Sequence, residues 1–255
     1  MTKRADIIWM EMVDSTNDEA KRHIYDIDNL SVLSARQQIS GRGQRGNTWS
    51  SEAGKNLTFS VAIRFGYDGV EPLQAYDQFV ISEITALSVV ELLASHEIIA
   101  QIKWPNDIYV GSKKICGILI ENSLAGADVI HSIVGVGLNV NQTAFDTSLP
   151  NPTSMAMISA HEYNLEDLLE EFLDIFKEYI RRYCNSKGGY GRLRKLYLSQ
   201  LWRKDVPAGY VDQTTTSYEE FTGCIRGLSN VGNLLVEKEE GELKEFAFKE
   251  ISYKL

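Results

Sequence analysis

Between Arg36 and Lys55 the chain reads RQQISGRGQRGNTWSSEAGK. It has four glycines, one tryptophan and four cations (Arg36, Arg42, Arg45, Lys55) against the single Glu52, in a protein of formal net charge −9. Glycine frees the backbone for φ > 0 and lets another molecule come close. Arginine offers forked donors that match carboxylate and phosphate. Together they predict an anion-handling loop. Two phosphate motifs do not account for it. Gly41, Gly43 and Gly46 satisfy GxGxxG, but that fingerprint needs a helix directly after it, and Asn47-Thr48-Trp49-Ser50-Ser51 is poor helix material. The P-loop spacing from Gly41 to Gly46 also fails, because Asn47 stands where the lysine belongs.

Four other segments carry polar groups at suggestive spacing. Asp14-Ser15-Thr16-Asn17 reads either as a helix cap or as a set of small hydrogen-bonding groups at a site. Lys103-Trp104-Pro105-Asn106-Asp107 is either an Asx-type turn over a packed Trp or a second polar cluster. In Lys113-Lys114-Ile115-Cys116-Gly117-Ile118-Leu119 a lysine enters an apolar strand, which is costly unless it is paired or reaches solvent. Gly135-Val136-Gly137-Leu138-Asn139-Val140-Asn141 thins one face of a strand. No nucleophile is matched with a base in any of these segments. The chemistry expected is of a type where positioning and charge neutralisation suffice, such as acyl adenylation, in which the substrate's own carboxylate attacks.

The elements that must hold these groups follow from periodicity and turn chemistry. Strands are expected over Asp6–Met12, Ser31–Ala35, Leu57–Arg64, Ile98–Lys103, Asp107–Val110, Lys114–Glu121 and Val129–Val140, with Gly111-Ser112 as a hairpin turn. Thr16 to Glu19 reads as a capping box opening a short helix to about Ile24. A long helix is expected over Leu73–Ser95. After a linker with Pro150 and Pro152, two more helices are expected, Leu165–Tyr183 and Tyr190–Leu201, separated by Asn185-Ser-Lys-Gly-Gly. From Asp205 onward ten acidic residues face five basic ones, and short β-like runs (Phe221–Arg226, Asn233–Glu237, Glu245–Lys249) predict a small β domain. Residues 1–203 and 204–255 are thus expected as two units.

Composition narrows the class. Hydrophobic residues make up 44% and charged residues 24%, usual for a cored, soluble chain. No long apolar run predicts a membrane span, and the N-terminus lacks a signal peptide. Cys116, Cys184 and Cys224 are unpaired in spacing, which predicts reduced thiols, no zinc site and a cytoplasmic setting. A pI near 5.1 argues against DNA as a partner.

Taken together, DSTN, GRGQRGNTWSSEAGKNLTFS, KWPNDI, KKICGILIE and GVGLNVN resemble the biotin–protein ligases, in that family's order and spacing and over nearly the whole chain. The resemblance implies an α+β fold: a mixed β-sheet catalytic domain related to class II aminoacyl-tRNA synthetases, followed by a small SH3-like β-barrel. It implies that biotin and ATP give biotinyl-5′-AMP and pyrophosphate, with Mg2+. The adenylate would then biotinylate one lysine of the biotin carboxyl carrier domain of a carboxylase. By the same resemblance Ser15, Thr16, Asn17 and Gln38 would hold the ureido ring. Gly41, Arg42, Gly43 and Gln44 would cover biotin and its adenylate, and Gly117, Gly135 and Gly137 would flank the bicyclic ring. Lys114 would meet the biotin carboxylate and later the acyl phosphate, with Arg42 and Asp107 as its catalytic companions. Arg45, Asn47, Trp49, Asn106, Asp107 and Asn139 would lie at the nucleotide, with Trp49 touching the adenylate as well; the residues holding a metal are not assigned.

Two departures stand out. The family loop commonly reads GRGRRGR, whereas Gln44 and Asn47 replace two arginines here, which predicts a looser hold on the adenylate. DSTN begins 13 residues after Met1, so no DNA-binding helix-turn-helix and no repressor role is expected. A homodimer is left open. Lipoate–protein ligases and octanoyltransferases are expected to share the fold, but GRGQRG and KWPND favour biotin over them.

Overall fold

The computed structural model describes residues 7–184, 189–214 and 217–254, without the Arg45 side chain. In chain order the first part holds β1 (Ile7–Val13), α1 (Thr16–Arg22), β2 (Val32–Gln38), β3 (Leu57–Arg64), β4 (Leu73–Gln74), α2 (Phe79–Ser95), β5 (Gln101–Lys103), β6 (Asp107–Val110), β7 (Lys113–Ala125) and β8 (Asp128–Leu138). Three helices follow: α3 (Met155–Ser159), α4 (Leu165–Tyr179) and α5 (Gly189–Ser199), with a π turn over Ile180–Cys184 after α4. The chain closes with β9 (Pro207–Asp212), β10 (Glu219–Leu228), β11 (Leu234–Lys238), β12 (Leu243–Phe246) and β13 (Ile251–Tyr253).

The first sheet runs β1-β2-β3-β8-β7-β6-β5, with β4 on the far end of β8. Only β1 and β2 pair in parallel, so the sheet is mixed and the fold is α+β. Alternation along β3 sorts its two faces. Leu57, Phe59, Val61 and Ile63 enter the main core, where Phe59 meets Phe172 of α4 edge-on at 4.9 Å. Ala62, on the opposite face, packs with Ala20 and Ile24 under α1, and Ser60 turns the same way toward Thr16 and Asn17. The last five strands form an antiparallel sheet ordered β12-β11-β10-β9-β13.

α2 is buried almost all round, from Val80 to Leu93, because it lies between the sheet and helices α4 and α5. Its interior hydroxyls are satisfied within the helix, Thr85 donating to Ile81 O at 2.7 Å and Ser88 to Ile84 O at 2.8 Å. Glu83 is also buried there; Arg194 of α5 pairs with it and donates to Ser229 O at 2.6 Å. Burial pushes the Glu83 carboxyl up to about 7, against the pull of Arg194. A carboxyl raised in the folded state favours folding in its protonated form. Its contribution should therefore be present below about pH 4.5 and be lost as pH rises toward about 7. Urea unfolding of Glu83→Gln across that range should show a flatter pH dependence than wild type.

Several boundaries differ from expectation for local reasons. α2 begins at Phe79, not Leu73, because Leu73 pairs with Val129 as strand β4. Ile98 is no strand residue: Glu97 has φ +61°, and the Ile98 N–H closes the helix end onto Leu93 O at 2.9 Å. The capping box at Thr16 is not formed. Ser15 is the N-cap without a side-chain bond, and the Thr16 N–H goes instead to Gln38 Oε1 at 2.8 Å. The run Glu245–Lys249 is strand only to Phe246, since Ala247–Glu250 turns with a 3.1 Å backbone bond. Besides β4, three short elements are not among the expected ones. β9 was hidden by Pro207 and Gly209, β13 by its three-residue length, and α3 by the linker around it, although Ser154 caps it by accepting from Met157 N–H at 3.2 Å. The hairpin turn at Gly111, with φ +61°, is as predicted. Asp6 and the turn residues 185–188 lie outside the described residues.

Candidate functional site

Sheet register builds the floor of the site. Gly137 of β8 faces Gly117 of β7 on one side and Thr58 of β3 on the other, and Gly117 faces Asp107 of β6. One row further, Gly135 lies between Leu119 and Ser60. A Cβ at Gly135 would fall closer than 3.0 Å to Asn17 Oδ1, and one at Gly137 would fall closer than 3.0 Å to the Trp49 ring. The glycines therefore give a smooth strip on which flat groups can lie, and here the Trp49 indole lies on it. Gly41 is also required by contact, since a Cβ there would meet the Trp49 carbonyl.

Over this strip α1 and β2 bring the small polar groups together. Ser60 Oγ donates to Asn17 Oδ1 at 2.6 Å and is within 2.8 Å of Thr16 Oγ1; Thr16 Oγ1 in turn donates to Gln38 Oε1 at 3.2 Å. Asn17 Nδ2 donates to Leu119 O at 3.2 Å and to Glu121 Oε2 at 2.9 Å. The DSTN segment is thus both a helix start and a site element. Ser15, Thr16, Asn17, Gln38, Arg42, Gly43, Gln44, Trp49, Lys114, Gly117, Gly135 and Gly137 all border one cavity of about 50 Å3, room for a few water molecules. Of the residues expected at the biotin side, only Gly41 is off its wall.

A second cavity of about 480 Å3 lies across Trp49 and is walled by Asn47, Asp107, Lys114 and Asn139, with Lys103, Phe145 and Leu149 among the others. Lys114 and Trp49 border both cavities. Lys114 Nζ is 2.6 Å from Asp107 Oδ1 and 5.8 Å from the Trp49 ring centre, and would be 3.3 Å from a Cβ at Gly117. Neighbouring Lys113 is exposed, as strand alternation requires. The Trp49 Nε1–H is buried with no hydrogen-bond partner among the described residues.

One placement differs from expectation: Asn106 borders the small cavity, not the large one, and its amide ties the turn to Ile118 O at 2.7 Å. Asn139 borders the large cavity as expected, and its amide donates to Thr153 O at 2.9 Å, pinning the loop before α3. Trp104, in the Lys103–Asp107 turn, is the packed tryptophan of the turn reading, buried and donating from Nε1 to Gly232 O at 2.9 Å. The Arg45 side chain lies outside the described residues.

The loop cations also behave otherwise than predicted. Each one described is held by a carboxylate from elsewhere in the chain. Arg36 stacks over Trp9 and pairs with Glu166; Lys55 meets Glu162 at 3.2 Å; Arg42 meets Asp18 at 2.6 Å and Glu121 at 3.1 Å. The loop's positive charge fastens it to the acidic remainder of the protein. Glu121 and Asp18 are the residues missed by sequence reasoning. Glu121 keeps the two-residue period of Gly117 and Leu119 on the site face of β7, which is the signal that could have found it.

Residues 9–139 match the Biotin/lipoate A/B protein ligase family. The chain is 28% identical to the biotin–[acetyl-CoA-carboxylase] ligase of Paracoccus denitrificans over 88% of this chain and 90% of that one. It is also 28% identical to the bifunctional ligase/repressor BirA of Bacillus spizizenii, over 94% of this chain and 72% of that one. Among solved structures it resembles the biotin protein ligase from Aquifex aeolicus in complex with biotin and ATP, with TM-score 0.78, 27% identity and 98% of each chain covered. The matched residues take in the glycine strip, Lys114 and the whole Arg36–Lys55 loop, so the chain belongs to the Biotin/lipoate A/B protein ligase family, as a ligase whose end-to-end likeness is to the biotin protein ligases.

Proposed function

We propose that this site activates biotin with ATP and passes it to a lysine of a biotin carboxyl carrier domain. The observation that carries the proposal is the position of Lys114, at the junction of a small glycine-floored cavity and a larger one. The bicyclic ring would lie on Gly117, Gly135 and Gly137, among the neutral groups of Ser15, Thr16, Asn17 and Gln38. The 50 Å3 cavity is too small for that ring until the Trp49 indole swings off the strip. Its orphan Nε1–H would then find an acceptor on the ligand. ATP would occupy the larger cavity, beside Asn47, Asp107 and Asn139.

The biotin carboxylate attacks the α-phosphorus, a P–O bond forms, the α–β bond breaks, and pyrophosphate leaves. Lys114 supplies the fixed positive charge that both carboxylate and α-phosphate need, with its carboxylate partner Asp107 keeping the ammonium in place. The carrier lysine then attacks the acyl carbon and AMP departs, leaving an amide. Asp107 is the one carboxylate bordering the large cavity among the described residues, which suits Mg2+, an ion usually held by one or two carboxylates together with substrate phosphates. When bound, the ion would neutralise phosphate charge.

We also read residues 204–255 as an SH3-like domain built around Tyr210, Ile225, Leu234, Val236 and Phe246, all buried and continuous with the core of the first sheet. Buried Cys116 and Cys184, whose thiols burial pushes up from the ordinary range, fit a reducing cytoplasmic setting.

Purified protein incubated with ATP, biotin and a carrier domain should add one biotinyl group to that domain, read by intact mass. Lipoate or octanoate in place of biotin should give none. Transfer of lipoate with none of biotin would overturn the reading.

A further inference from the structure

We infer that Glu121 is the positioning residue that couples the glycine loop to the small-cavity amide, so that one carboxylate sets both how biotin is met and how long its adenylate is kept. This rests on the function proposed above. Glu121 Oε2 accepts from Asn17 Nδ2 at 2.9 Å, and Oε1 accepts from Lys21 Nζ at 2.5 Å and from Arg42 Nη2 at 3.1 Å. Asn17 is buried and fixed at its other end by Ser60 at 2.6 Å, so the carboxylate has a rigid footing. Arg42 sits in the loop between Gly41 and Gly43 and bridges from Glu121 to Asp18 of α1 at 2.6 Å. The same oxygen that receives Lys21 receives this arginine.

The charge at Glu121 is secure. Burial pushes its carboxyl up, but the hydrogen bonds from Lys21 and Asn17 and the charges of Lys21 and Arg42 outweigh this and hold it below the ordinary carboxylate range. Arg42, in turn, is kept charged by Glu121 and Asp18 despite partial burial. Charge-assisted hydrogen bonds of this kind are stronger than neutral ones. The loop is therefore latched on the floor strand and on α1 at once. The loop has internal ties, Gly43 N–H to Asn47 O at 2.7 Å and Trp49 N–H to Gly41 O at 2.9 Å, but these hold it to itself, whereas the Arg42 pairs tie it to β7 and α1. With Gln44 and Asn47 in place of two arginines, fewer loop cations are left to share the task.

The variants Glu121→Gln and Glu121→Ala separate the two functions. The amide of Glu121→Gln still accepts from Asn17 but carries no charge for Arg42. Its loop amides between Gly41 and Thr48 should exchange hydrogen about tenfold faster without ligand, and biotinyl-5′-AMP should leave about tenfold faster, while the KM for biotin stays within about threefold. In Glu121→Ala the Asn17 amide loses its partner as well, and the biotin KM should rise by about tenfold besides. A merely structural role would lower the melting temperature of both variants without this split. Loop exchange and adenylate release at wild-type rates in Glu121→Gln would overturn the inference, as would an Asp18→Asn variant that alone reproduces both effects. If wild type forms no adenylate, the function proposed above fails, and the ligand-free exchange comparison still decides whether Glu121 anchors the loop.

Discussion

Replacing Lys114 with alanine is expected to slow adenylate formation by about a hundredfold or more, the scale on which a preorganised charge stabilises a transition state. The loss has two parts. The ammonium that offsets charge on the carboxylate and the α-phosphate disappears. Asp107, 2.6 Å from it in the wild type, is left as an uncompensated negative charge beside the same oxygens. Lys113→Ala is the control, because that side chain is exposed and on the other face of β7. Pyrophosphate release in a single turnover, at saturating biotin and ATP, measures the step. Equal losses at the two lysines would remove Lys114 from its proposed role.

Gly135→Ala should weaken biotin binding by about ten- to a hundredfold, measured by titration calorimetry, with the protein still folded. Its new methyl would press on Asn17 Oδ1. That oxygen is the far end of a side chain, which can ordinarily move aside. Here it cannot do so cheaply, because Asn17 is buried and bonded to Ser60, Leu119 and Glu121. Moving it leaves buried polar groups unpaired, at roughly 1–3 kcal/mol each, which is the tenfold to hundredfold range. Gly191→Ala gives the comparison. Its Cβ would meet nothing within 4 Å on α5, so it should be neutral or slightly stabilising. Unchanged biotin affinity in Gly135→Ala would mean that Asn17 takes no part in holding the ligand.

How much of this was legible in the sequence depends on the range of the interaction. β3 and β6 were read to the residue, because alternation and flanking turns are local signals. The floor glycines and Lys114 were legible because their motifs lie on two adjacent strands, whose pairing brings them into one row. The partners of the loop cations were not. Glu162, Glu166, Asp18 and Glu121 are spread over the whole chain, and only the fold sets them around Arg36, Arg42 and Lys55. Thr16 shows the same limit at short range: a capping box fits its neighbours, but Gln38, 22 positions away, competes for its N–H and wins. The overrun of α2 to Leu73 has a similar cause, since residues 73–78 suit a helix until Val129 offers Leu73 a strand partner.

The turn between β10 and β11 bears on how freely this architecture can be recombined. Gly232, with φ +91°, stands so close over the Phe79 ring that any Cβ would collide with it, and its carbonyl receives the Trp104 indole N–H at 2.9 Å. One residue of the C-terminal sheet is thus a keyhole for the first residue of α2 and for the tryptophan of the Lys103–Asp107 turn. That turn carries Asp107 to Lys114. The C-terminal module is consequently no interchangeable passenger. A chimera that grafts it from a relative would inherit a working seat for the Asp107 turn only if the donor brings a glycine, in the same left-handed conformation, to the same spot.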